Sequence, residues 1–194
     1  MRKGNIALAL CGVLFGASAV IAQDLPVEFS KARQAFVEKQ FRTSAHELRL
    51  ASVAFRGEVG KCKNADLGDK MLAAEAQIDK LAVEVAAGKI ESVKTFDAKL
   101  TEFDLLLATN HHQLASEMWS KSRGRSLSAV GADLGLAASF YKRAMQWRKD
   151  GLTPEAQKIV DDAMRVSQAL FDAGEKEPAG AESAIQALGR ALKN

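Results

Sequence analysis

The 194-residue chain is 47% hydrophobic and 26% charged, and its 27 basic and 24 acidic residues give a formal net charge of +3. That excess is too small and too scattered for a nucleic-acid binder. Alternating β-branched runs are absent and the only prolines are Pro26, Pro154 and Pro178, all expected at element boundaries, so the fold class is all-α.

The N-terminus has the organisation of a secretory signal peptide over residues 1–22. Arg2 and Lys3 supply a positive start, Ile6 to Ile21 an uncharged apolar core, and Val20-Ile21-Ala22 a small-residue cleavage signal before Gln23. A membrane anchor is the rival reading, but the stretch is short and is broken by Gly12 and Gly16. A lipoprotein reading at Cys11 conflicts with the bulky Leu10 before it. Cleavage leaves residues 23–194 as a single helical-bundle domain without a transmembrane segment. This domain has 25 basic and 24 acidic residues, a net charge of +1. The expected location is the periplasm, reached by export; Cys62 is then the single cysteine, so no intramolecular disulfide can form.

Helix follows helix along the mature chain. Ala32, Ala35 and Phe36 form one apolar stripe and Phe41, Ala45, Leu48, Ser52 and Phe55 another, with a break near Lys39-Gln40. This pair resembles the short antiparallel hairpin of tetratricopeptide-like repeats, as found in bacterial exported helical-bundle proteins. The resemblance covers about thirty residues and is not repeated in tandem. A third helix carries Leu67, Met71, Ala74, Ile78, Leu81 and Val85 and stops at Gly88; Ser92 then caps a long fourth helix. Its seam reads Val93, Phe96, Leu100, Phe103, Leu107 and Leu114, with Asn110 on the seam, His111 beside it and His112 turned towards solvent.

Gly124 ends that helix in the basic turn "SKSRGRS". The fifth helix bears Leu127, Val130, Leu134, Ala137 and Tyr141, with Gly131 and Gly135 on one side, either for close packing or to open a small groove. Thr153-Pro154-Glu155 starts a sixth helix through Ile159, Ala163, Val166 and Leu170. The "GEKEPAG" linker precedes a last helix, 181–192, expected to dock loosely. The segments Leu48 to Phe55 and Leu134 to Tyr141 are faintly alike, hinting at two related hairpins. The architecture expected is an antiparallel bundle of six or seven helices.

No catalytic motif stands out. "GRSLS" lacks the second glycine of a hydrolase elbow, and Ser139-Phe-Tyr-Lys142 matches S-x-x-K in mid-helix without its companion motifs. His46, His111 and His112 are candidate metal ligands, for zinc or copper, although His111 and His112 diverge by about 100° on a helix and would need Glu47 or Glu117 from elsewhere. Cys62 lies between Lys61 and Lys63, which would favour a thiolate and a redox role, or it is an incidental loop cysteine. Trp119, Arg123, Arg125, Tyr141 and Trp147 form a candidate interaction surface at the helix ends.

Two functional readings follow. One is a non-enzymatic interaction, adaptor or chaperone-like bundle that needs no cofactor and binds a protein or cell-envelope component. The other is a metal-binding or redox-responsive bundle using the histidines or Cys62.

Overall fold

The computed structural model describes the backbone of residues 17–122, 126–172 and 177–193, and the side chains of 27–121, 126–172 and 177–193. Most of the expected signal peptide, the turn holding Arg123, Gly124 and Arg125, and part of the "GEKEPAG" linker lie outside the described residues.

Among the described residues seven helices account for the regular structure: α1 (Ala17–Val37), α2 (Phe41–Val59), α3 (Ala65–Ala86), α4 (Val93–Ser122), α5 (Leu127–Trp147), α6 (Pro154–Asp172) and α7 (Ala181–Ala191). Their ends follow local chemistry. Lys39 adopts a positive φ of 61° between α1 and α2, and Gly88, at φ 66°, closes α3. The Ser92 hydroxyl accepts a hydrogen bond from the Thr95 amide, and the Thr153 hydroxyl accepts one from the Ala156 amide, as the capping pattern predicts. Asn64 caps α3 in the same way through Leu67. Pro26 departs from expectation: it lies inside α1, not at a boundary.

The helices form two trios. In the first, α2 packs between α1 and α3; in the second, α5 packs between α4 and α6, and α7 lies against α6 and α4. The two faintly similar segments therefore occupy the central helix of each trio. Gly131 and Gly135 serve close packing of α5 on α6. A Cβ on Gly131 would lie 2.8 Å from the Ser167 carbonyl oxygen, and the Ser167 hydroxyl donates to the Gly131 carbonyl at 2.7 Å.

Large aromatic side chains join the trios. Phe36 of α1 stacks on Phe96 of α4 at 4.4 Å between centroids, and Phe103 of α4 meets both Phe29 and Phe55. Phe29, Phe55, Phe96 and Phe103 are essentially inaccessible to solvent, and burying each contributes about 1.5–3 kcal/mol. Arg33 of α1 adds a two-pronged ion pair to Asp97 of α4, at 2.7 and 2.9 Å.

The buried stripe of α4 includes Asn110 as expected, but departs from expectation at its two ends. Phe96, Leu100, Phe103 and Leu107 are buried, but further along the buried positions are Ala108, Asn110, His111 and Ala115, while Leu114 is half-buried and Val93 is 37% exposed. The reason is geometric. A seam extrapolated in steps of three and four drifts by about 20° per heptad on a straight helix, and over the 30 residues of α4 that drift carries His111 into the core.

Candidate functional site

Two features stand out from the core: a buried polar seam between the trios, and an open trough on the outside of the second trio. The seam is built on α4. His111 is 1% exposed and sits between two carboxylates. Its Nδ1 lies 2.7 Å from Asp133 Oδ1 of α5, and its Nε2 lies 3.2 Å from Glu58 Oε2 of α2, within ion-pair distance though out of line for a hydrogen bond. Carboxylates only accept, so a ring facing one at each nitrogen is best satisfied as the imidazolium. Burial alone would lower the pKa of His111, but the hydrogen bond with Asp133 and the contact with Glu58 outweigh it, and the net shift is upward. Burial pushes Glu58 up, yet His111 and the Lys61 ammonium, 2.9 Å from its Oε1, bring it below the usual carboxylate value. The four groups sum to no net charge, which is the condition under which a buried cluster is tolerated.

Phe140 extends the seam. One contact of its ring is with His111, stacked at 5.6 Å, and another is with the Arg143 guanidinium, 5.3 Å from the centroid. Arg143 also lies over Phe29 and Trp147 and makes a two-pronged ion pair with Asp104 of α4, in which Nε donates to Oδ2 at 2.7 Å. Burial pushes the Asp104 carboxyl up to about 6 against the pull of Arg143. It remains ionised at neutral pH.

The other expected ligands go elsewhere. His46 is exposed on α2. His112 does not turn to solvent as expected: its Nε2–H donates to the Ile185 carbonyl of α7 at 2.9 Å, and burial lowers its pKa. The physical reason is α7 itself, whose Gly189 leaves room for the imidazole; a Cβ there would come within 2.6 Å of the ring. Glu47 is hydrogen-bonded to Glu28, which together with burial raises its pKa, and Glu117 is paired with Lys121 and Lys63. The structure therefore does not bring the three histidines together, and no cluster of three or more His, Cys, Asp or Glu side chains suited to a metal occurs among the described residues.

Cys62 is half-buried in the turn between α2 and α3, where its thiol donates to the Asn64 carbonyl at 3.3 Å. The flanking lysines are engaged by carboxylates, Lys61 by Glu58 and Lys63 by Glu117 at 3.7 Å. The expected interaction surface is dispersed. Tyr141 is buried to 6% exposure, Trp147 lies beneath Arg143, and Trp119 is half-buried against the core; Arg123 and Arg125 lie outside the described residues.

Tyr141 nonetheless borders the trough. This depression of about 790 Å³ runs along α6 and α7 and is also lined by Tyr141 of α5 and by Arg148, the residue that follows α5. Its lining includes small and apolar groups, among them Ala156, Ile159, Ala184 and Ala187. Around it stand Arg148, Lys158, Arg165 and Arg190 against Glu155 and Asp162. Arg165 pairs with Asp162 at 3.5 Å; Arg148, Lys158 and Arg190 have no carboxylate partner among the described residues. Burial raises the pKa of the Tyr141 hydroxyl, keeping it protonated as a neutral donor beside these cations.

Sequence reasoning missed Glu58, Asp104, Asp133 and Arg143. Asp104 was detectable, since it falls four residues after Leu100 and three before Leu107, on an otherwise apolar stripe. Among the described residues no helix is long and apolar enough to cross a membrane. Comparison with protein-family models, with curated proteins and with solved structures gives no match.

Proposed function

We propose that the protein is an exported, non-enzymatic helical bundle that binds a polypeptide or cell-envelope component, in the manner of an adaptor or chaperone. The observation that carries this reading is the trough of about 790 Å³ along α6 and α7. Its volume falls in the range of ligand sites, and its shape, open along two helices, suits a chain segment better than an enclosed small molecule. Pro26 supports the export part. Inside a helix a proline forfeits a backbone hydrogen bond, whereas in the first turn its missing N–H costs nothing. Cleavage before Gln23 would put Pro26 in that first turn.

The test is site-specific photo-crosslinking in the producing cells, with the photoreactive residue replacing Ala187 in the trough or Val53, 68% exposed on α2. A discrete crosslinked species is expected from position 187 and not from position 53. No adduct from position 187, or the same adducts from both, would overturn the reading. The export part is checked by the mass of the purified protein, expected to begin at Gln23; an intact Met1 chain confined to the cytoplasm would refute it.

A further inference from the structure

We infer that the trough along α6 and α7 recognises an acidic segment of a polypeptide; this rests on the binding role proposed above and specifies the chemistry of the partner. Charge complementarity carries the inference. The chain expected after cleavage is almost neutral, at +1, yet the trough is bordered by four basic and two acidic side chains. Three of those cations, Arg148, Lys158 and Arg190, stand without a carboxylate partner among the described residues. Exposed arginines elsewhere, such as Arg42 and Arg49, also lack an ion pair among the described residues; what distinguishes the trough is that three such cations converge on one concavity. Unmatched cations beside apolar lining groups are what an anionic partner with apolar side chains would fill.

The dimensions favour a polypeptide over a lipid surface. The trough follows α7 from Gly180 to Ala191, roughly 16 Å at 1.5 Å per residue. That length takes about five residues of extended chain or three turns of helix. A membrane surface would meet a broad basic face with exposed aromatics, whereas here Tyr141 is buried and the cations line a concavity. The small side chains of Ala156, Ala184 and Ala187 leave depth for the apolar residues of the segment, and Arg148, Lys158 and Arg190 meet its carboxylates. The Tyr141 hydroxyl offers a further donor in the lining.

The experiment measures binding of the purified protein to a fluorescent peptide of about six residues that alternates glutamate with leucine, a length that spans the trough in extended form. The comparisons are the same peptide with glutamine for glutamate, inorganic phosphate, and phosphatidylglycerol vesicles. Expected results are at least tenfold tighter binding of the glutamate peptide, weakening as salt screens the charges, and at least a tenfold loss in Arg148→Ala/Lys158→Ala/Arg190→Ala. All three substitutions are at exposed positions, so a fold-preserving loss is expected, checked by an unchanged melting temperature. Ala187→Trp, which adds bulk to the lining, should also abolish binding. Glutamate and glutamine peptides binding alike, or binding unaffected by the triple substitution, would overturn the inference while position-187 crosslinks left the binding role standing. Vesicle binding without peptide binding would overturn it in favour of a lipid surface, and competition by millimolar phosphate equal to that by the peptide would reduce the trough to a site for any anion. Failure of both peptide binding and the crosslinks would remove the binding role itself.

Discussion

Replacing His111 with phenylalanine isolates the charge of the seam from its packing, because the larger ring can keep the stack on Phe140 while both nitrogen contacts disappear. Removing one partner from a buried ion pair costs about 3–5 kcal/mol. Glu58, fully buried, would retain Lys61, and Asp133 is 19% exposed at its side chain, so the lower end, about 3 kcal/mol, is expected. For a domain of this size, each kcal/mol moves the melting temperature by about 2–4 °C, which predicts a fall of roughly 6–12 °C. The pH dependence is the sharper test. Folded His111 holds its proton more tightly than the unfolded side chain, so its stabilisation is complete below the ordinary value of 6.5 and is lost as pH rises through the higher folded value. Glu58 is shifted down, so its share is present above the ordinary 4.5 and is lost as pH falls through the lower folded value. The difference between parent and His111→Phe should therefore be greatest between pH 4.5 and 6.5 and shrink on both sides. Asp104 titrates in both proteins and cancels, and a packing cost from the larger ring is the same at every pH. Urea denaturation from pH 4 to 9 provides the measurement, and a difference that stays flat across that range would refute the charged-histidine account.

Three further outcomes test other contacts. Asp104→Asn should destabilise the protein by about 3–5 kcal/mol by leaving Arg143 buried without its counter-ion, and Asp104→Leu/Arg143→Met should recover more than half of that in urea denaturation. Gly131→Ala should cost about 1–3 kcal/mol from overpacking, partly offset by about 1 kcal/mol of helix propensity, because its Cβ meets the Ser167 backbone; Gly135→Ala, which meets only the Ser167 hydroxyl, should cost less by thermal melting. Gly189→Ala should displace His112 and break its bond to Ile185, seen as faster hydrogen exchange confined to residues 181–191.

The helices were legible because their signals are local. The turn at Lys39, the stop at Gly88 and the caps at Ser92 and Thr153 each depend on residues within a few positions of one another. Gly131 and Gly135 were also readable as packing positions, though not their partner Ser167. The seam was not legible, because its pairs join distant residues: His111 meets Asp133 across 22 positions and Asp104 meets Arg143 across 39. A charged residue on an apolar stripe announces that a partner must exist, but only the packing of α4 against α2 and α5 says which. The trough was hidden for a related reason. Arg148 follows α5, Lys158 lies in α6 and Arg190 in α7, and nothing in their spacing marks them as neighbours.

The division into two trios has a kinetic consequence. The extensive helix interfaces join elements adjacent in sequence, α1 with α2, α2 with α3, α4 with α5, and α5 with α6. Closing them requires only short loops, which places the chain among fast-folding, low-contact-order topologies. Each trio can assemble from its own segment, leaving the Arg33–Asp97 and Glu58–His111 pairs to form when the trios meet. If the barrier precedes their meeting, weakening those pairs accelerates unfolding and leaves the folding rate nearly untouched; chevron kinetics of Arg33→Ala, in which a slowed folding limb would place the meeting of the trios at the barrier, decides it.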